Sequence, residues 1–196
     1  MHRLRPRPLR PTPAETRDER GAVALEAALV FLFLFTILAG VVDLSMFFKT
    51  SYQLSSGARA GARTAASEPL ASSYAGDAAA QVVSTLMGME AARVQAIWVY
   101  NANSTTGDPV NAGCAADCVR FSVTSDAQGK ITGVGTSTGT WSSRSACATG
   151  TPTIQSVGVR VQYRYDAPIQ FAENTVITES SVMRFEEIPS TKTCST

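Results

Sequence analysis

The longest pattern in the chain is a stretch without polar residues. Residues 27–42 read AALVFLFLFTILAGVV with no charge, and apolar character resumes after Asp43 and runs to Phe48. Ala27 to Phe48 is 22 residues, close to the ~20 that a helix rising about 1.5 Å per residue needs to cross a bilayer. No polar face recurs at the helical period, so the run does not read as the stripe of a soluble amphipathic helix. A helix apolar on every side needs a large protein interior or lipid, and a chain of 196 residues is too small to supply the first. The core of an ordinary secretory signal is shorter, ~7–15 residues. The pattern predicts a transmembrane helix over residues 22–48.

Residues 49–68 read KTSYQLSSGARAGARTAASE, rich in alanine and without proline until Pro69. This composition predicts that the helix continues as a stalk over 49–68 and stops before Pro69, because proline disfavours helix at the residue preceding it. Gly57 and Gly61, Ala58 and Ala62, and Arg59 and Arg63 each stand four apart. Small residues at that spacing let helices approach closely, and the two arginines could meet lipid phosphates or acids on a partner. The plainer alternative is an exposed, alanine-rich helix weakened by its glycines. A second helix is expected over Ser73 to Gly88, where Ala78, Val82 and Leu86 recur at helical spacing and can cover one face of a sheet.

Four strands follow from alternation. Residues 93–100 set Val94, Ala96, Trp98 and Tyr100 on one side, and 118–125 set Val119, Phe121 and Val123 on one side. The clearest is 157–165, with Val157, Val159, Val161, Tyr163 and Tyr165 opposite Arg160, Gln162 and Arg164. That period of two marks a half-buried antiparallel strand. The last covers 174–186 and should neighbour it. Residues 101–117 and 126–156 are rich in Asn, Gly, Ser and Thr and read as long surface loops, or as an irregular hairpin at Lys130–Val134. Trp141 is expected to anchor its loop to the core. The sum is an α+β fold: an N-terminal transmembrane helix extended as a stalk, then a small antiparallel sheet with a packed helix, over residues 69–196.

Charge adds an orientation. Residues 1–20 hold six arginines against three acids, whereas from Glu68 onward eleven acids face eight bases. A basic segment before a membrane helix favours the cytoplasmic side, so residues 1–21 are expected to be an unfolded, proline-rich cytoplasmic leader and the remainder after the helix to be extracytoplasmic. A mildly acidic folded part also argues against a nucleic-acid partner. The four cysteines, Cys114, Cys118, Cys147 and Cys194, then lie on the side where disulfides form. Three full pairings are possible and the sequence does not choose among them.

Candidate chemistry is sparse. The sole histidine, His2, lies in the tail, so neither a Ser-His-Asp arrangement nor a zinc site has its components in the domain. No phosphate-binding Gly-x-x-x-x-Gly-Lys pattern occurs. Asp108, Asp117 and Asp126 have no spacing that requires them to meet. The expectation is no enzyme activity, no cofactor and no metal.

Two acids stand where lipid would be. Glu26 follows Ala22-Val23-Ala24-Leu25, so apolar sequence begins before it. It reads either as an acid favouring the positive end of the helix dipole or as a group needing a partner at membrane depth. Asp43 marks the outer interface or contacts an assembly partner. The stretch Arg20-Gly21-Ala22-Val23-Ala24-Leu25-Glu26-Ala27-Ala28-Leu29-Val30, together with Gly57-Ala58-Arg59-Ala60-Gly61-Ala62-Arg63-Thr64-Ala65-Ala66, resembles the TadE/TadG-like family. These are pilin-like proteins of the tight-adherence (Flp) pilus assembly system. The resemblance covers roughly residues 20–66. It implies cleavage by a prepilin peptidase between Gly21 and Ala22, which would make Glu26 the fifth residue of the mature chain. There its carboxylate would pair with the terminal amine of a neighbouring subunit, specifying register more than adding stability. Asp43 matches a place where the family commonly carries an acid. The implied partners are other pilin-like subunits and the inner-membrane assembly platform, in the plasma membrane. A generic membrane-anchored binding module of the envelope is the alternative.

Overall fold

The computed structural model describes residues 15–142, 145–146, 154–167 and 175–188. A single helix, α1 (Glu15–Ser67), runs through the apolar stretch and on without interruption. It begins inside the segment expected to be an unfolded leader. Pro13 is the last proline of the tail, and Glu15, Asp18 and Glu19 place acids in the first turns, where the helix dipole favours them. At about 1.5 Å per residue, α1 is about 80 Å long. It ends just before Glu68-Pro69, as the proline dictates.

A short turn leads into α2 (Tyr74–Leu86), which returns antiparallel along the second half of α1. Five strands follow: β1 (Val94–Ala102), β2 (Cys118–Ser125), β3 (Ile131–Thr138), β4 (Ser156–Tyr165) and β5 (Thr175–Arg184). They form one antiparallel sheet in the order β3-β2-β1-β4-β5. Both helices lie on one face of it. The α+β arrangement is the one the sequence predicts, with one strand more. β3 falls where the alternation gave only loop and an irregular hairpin. It carries Gly133 and Gly135 and only two large apolar residues, Ile131 and Val134, because it is an edge strand with little core to cover.

The helix-facing positions of β4 and β2 follow from the alternation, whereas in β1 the residues that meet the helices are Ile97 and Val99, opposite the side of Ala96, Trp98 and Tyr100 that the pattern singled out. Val157, Val159 and Val161 of β4 and Ile97 and Val99 of β1 are fully buried, with Phe121 of β2 and Ile177 of β5 beside them. From the helices come Leu54, Ala58, Ala62 and Ala65 of α1 and Ala78, Ala79, Val82 and Leu86 of α2. The residues of β1 that alternate with Ile97 and Val99 are also largely covered, Tyr100 completely. As the central strand, β1 is sheltered on both faces. Trp141 joins the core as expected, its ring 5.9 Å from that of Tyr74 and 5.5 Å from that of Phe185. The Tyr74 hydroxyl also donates to the Trp141 carbonyl oxygen at 3.2 Å. The chain leaving β5 is tied back to α1 where the Glu186 N–H donates to the Ala66 carbonyl.

Candidate membrane and assembly surface

Along its length, α1 changes character. From Gly21 to Leu38 every residue is exposed, including Leu29, Phe31, Phe33 and Phe35. Bare side chains of this size, continuous around the helix, are unfavourable in water at roughly 25 cal/mol per Å² of apolar surface. Among the described residues this is the one helix long and apolar enough to cross a membrane, and it supplies the chain with a candidate anchor. Its few hydroxyls do not spoil it. Thr36 donates to the Leu32 carbonyl at 2.8 Å and Ser45 to the Val41 carbonyl at 2.7 Å, so each polar group is satisfied within its own helix.

Further along, the covering starts on one face. Ala39 and Asp43 are buried, Phe47 is partly covered, and Leu54, Ala58, Ala62 and Ala65 continue the same stripe. Here the small residues act. A Cβ on Gly61 would stand 2.7 Å from Val82 Cγ2 and 2.9 Å from the Ala78 carbonyl oxygen, and one on Gly57 would collide with Thr85 Oγ1. The glycines let α2 lie directly against α1. The close helix approach allowed by their spacing is thus made within the chain, to its own second helix. Arg59 and Arg63 point away from this seam and are exposed, as is Tyr52. Neither the exposed helix nor a contact with another protein describes the whole segment: its glycine face is internal and its arginine face is open.

The other singled-out residues fall as follows. Gly21, Ala22 and Glu26 are exposed within the bare part of α1. Asp43 is 5% exposed, and its backbone carbonyl accepts a bond from the Tyr165 hydroxyl at 3.2 Å. One turn on, the Phe47 and Tyr165 rings meet edge-on at 5.4 Å. The end of β4 therefore lies against the level of Asp43. Higher up, Ser51 Oγ donates to Glu179 Oε1 of β5 at 2.6 Å. Cys114 and Cys118 form a disulfide. Cys147 and Cys194 lie outside the described residues. Asp117 and Asp126 are held apart at the two ends of β2.

One constellation was not visible in the sequence. On the sheet face away from the helices, Arg120 of β2 and Arg160 of β4 both pair in register with Trp98 of β1. Their guanidiniums lie 4.6 and 5.7 Å from the indole centre, a cation–π arrangement on both flanks. The same side chains fasten the 103–117 loop over the sheet. Arg160 binds Asp108 at 2.8 Å, Arg120 donates to the Gly113 carbonyl, and the Tyr100 hydroxyl donates to the Gly107 carbonyl at 3.0 Å. The disulfide closes the loop's end. Burial pushes the Tyr100 phenol above its ordinary value of 10.0, with Arg160 pulling the other way. Tyr163 and Tyr165 are raised for the same first reason. The signal was present in strand alternation, but pairing an Arg of β2 with one of β4 across β1 requires the strand order. Among the described residues no group of three or more His, Cys, Asp or Glu could hold a metal.

A bare apolar half-helix continuous with a half-helix built into a sheet domain gives the chain a candidate membrane anchor joined directly to its folded part. Residues 21–63 match the family model of TadE-like proteins. The match takes in the bare part of α1, Asp43 and the glycine seam, and leaves the sheet outside. No curated protein and no solved structure matches the chain.

Proposed function

We propose that the protein is a pilin-like, non-enzymatic component of tight-adherence pilus assembly, held in the plasma membrane by the first half of α1. Its N-terminus would be cytoplasmic and its sheet domain extracytoplasmic. The observation that carries the reading is the coincidence of the TadE-like segment with the helix that is bare at one end and docked at the other. The basic residues before the span and the disulfide beyond it support the orientation. In this reading Glu26 faces neighbouring subunits or the inner-membrane assembly platform from within the apolar layer, where an ionised carboxylate needs a positive partner.

Removal of the first 21 residues by a prepilin peptidase would leave Ala22 at the new N-terminus. Intact mass measurement of the protein from its native membrane, with and without reductant, tests the cut and the disulfides together. A mature chain beginning at Ala22 is the expected result. Photo-crosslinking from a residue beside Glu26 should capture pilin-like subunits or platform proteins. Capture of neither would sink the assembly reading and leave a membrane-anchored binding module.

A further inference from the structure

The apolar run and the docked domain overlap along α1. The bare faces stay apolar through Leu44, Met46 and Phe48, each at least 45% exposed, while the opposite face is already covered from Ala39 and Asp43. Gly21 to Phe48 would measure about 42 Å at 1.5 Å per residue, too long for a hydrocarbon core of about 30 Å. Gly21 to Val42 measures about 33 Å, which fits. Two bonds fix how far down the sheet reaches. Tyr165 touches Asp43, and Glu179 touches Ser51. Thr175 lies four residues before Glu179 on β5, about 13 Å lower at strand rise, which again is the level of Val42. Were the bilayer to extend to Phe48, the end of a hydrogen-bonded sheet would be sunk in hydrocarbon, where open edge groups are not tolerated.

From this we infer that no free stalk separates the domain from the membrane: the sheet sits on the outer leaflet, and its Arg164–Val176 pair lies among the lipid headgroups. This rests on the membrane reading above and adds a lipid-binding surface to it. Arg164 and Val176 are cross-strand partners on the open face of the sheet, one register step above Tyr165 and Thr175. Both are exposed, Val176 at 44%. Lys49, exposed on α1, ends the apolar run. The layer from Asp43 to Lys49 is about 9 Å deep, comparable to a headgroup region. Among the described residues it holds two exposed cations, Arg164 and Lys49, and exposed apolar groups, while Asp43 is turned into the protein. Asp166, close by, is within 3.9 Å of Arg93. Cations beside short apolar anchors fit an anionic phospholipid surface.

The test uses the full chain in nanodiscs of phosphatidylcholine and phosphatidylglycerol, with the photoreactive p-benzoylphenylalanine introduced singly at Phe35, Val176 or Val182. Val182 is on the same strand and face as Val176 but about 20 Å further from the membrane. Lipid adducts should form from Phe35 and Val176 and be near background from Val182. Adding Arg164→Glu should lower the Val176 adduct about five-fold, the change corresponding to about 1 kcal/mol per basic residue near an anionic surface. Lipid adducts from Phe35 but none from Val176 would overturn the seating and leave the anchor intact. Adducts from neither would overturn the membrane reading with it. Capture of a second protein copy by Val176 in place of lipid would also overturn the proposal, as would equal labelling at Val176 and Val182.

Discussion

The two halves of α1 share one continuous backbone and differ in what surrounds them. Between Gly21 and Val42 the side chains are mostly large and apolar and almost all exposed, and a Cβ on Gly40 would meet nothing within 4 Å. Between Leu54 and Ala66 the buried positions are mostly Ala and Gly, and a Cβ on Gly61 would strike two groups of α2. Side-chain volume thus assigns each half its surroundings. Bulky residues leave a helix that only lipid or other helices can cover, and small ones let the chain's own α2 come close enough to do so.

Paired substitutions break this comparison most directly. Leu54→Ala removes a fully buried side chain and should cost about 2–5 kcal/mol of domain stability. Leu34→Ala, in the bare half, should leave that stability unchanged. Denaturant unfolding in detergent, followed by near-ultraviolet circular dichroism of the buried Trp141, reads both. Gly61→Val should cost about 3 kcal/mol, because α2 must be pushed outward, whereas Gly40→Val should cost the domain nothing by the same assay. Equal effects at positions 61 and 40 would mean that the seam is not what holds α2.

Smaller effects sharpen the contrast between the helix-covered and loop-covered faces of the sheet. Cys114→Ser with Cys118→Ser should lower stability by about 2 kcal/mol, as expected for so short a closed loop. Proteolysis should then begin in residues 103–117 and spare α2, which limited digestion with mass mapping would show. The smallest change is with alkali. Tyr100, Tyr163 and Tyr165 hold their protons more tightly when folded than the ordinary value of 10.0. Above that pH the unfolded chain releases protons that the folded chain keeps, so stability falls as pH rises and is unaffected by these groups below it. Unfolding midpoints measured on either side of pH 10 should show the decline, reduced in Tyr163→Phe.

How much of this was legible depended on whether the information was local. The apolar run, the stop at Pro69, α2 and the alternation of β4 are properties of adjacent residues, and each appears within a residue or two of where the pattern puts it. β3 escaped because an edge strand of Gly, Ser and Thr has little alternation to show. The role of Gly57 and Gly61 was half legible: their spacing announced a close helix approach without saying to which helix. Trp98, Arg120 and Arg160 come from three strands and meet only once the order β2-β1-β4 is known. The contact of Asp43 with Tyr165 was not legible, because nothing near Asp43 in the chain foretells a partner 122 residues on.

The glycine seam also dictates where the protein can be divided. A fragment starting at Glu68 would lose Leu54, Ala58, Ala62 and Ala65 and leave Val82 and Val159 facing water, so it should aggregate rather than fold. A cut between Gly40 and Asp43 would discard the greasy tail yet keep every residue that seals the sheet. For folding of the sheet domain the anchor is therefore exchangeable, and the wall it grows out of is not.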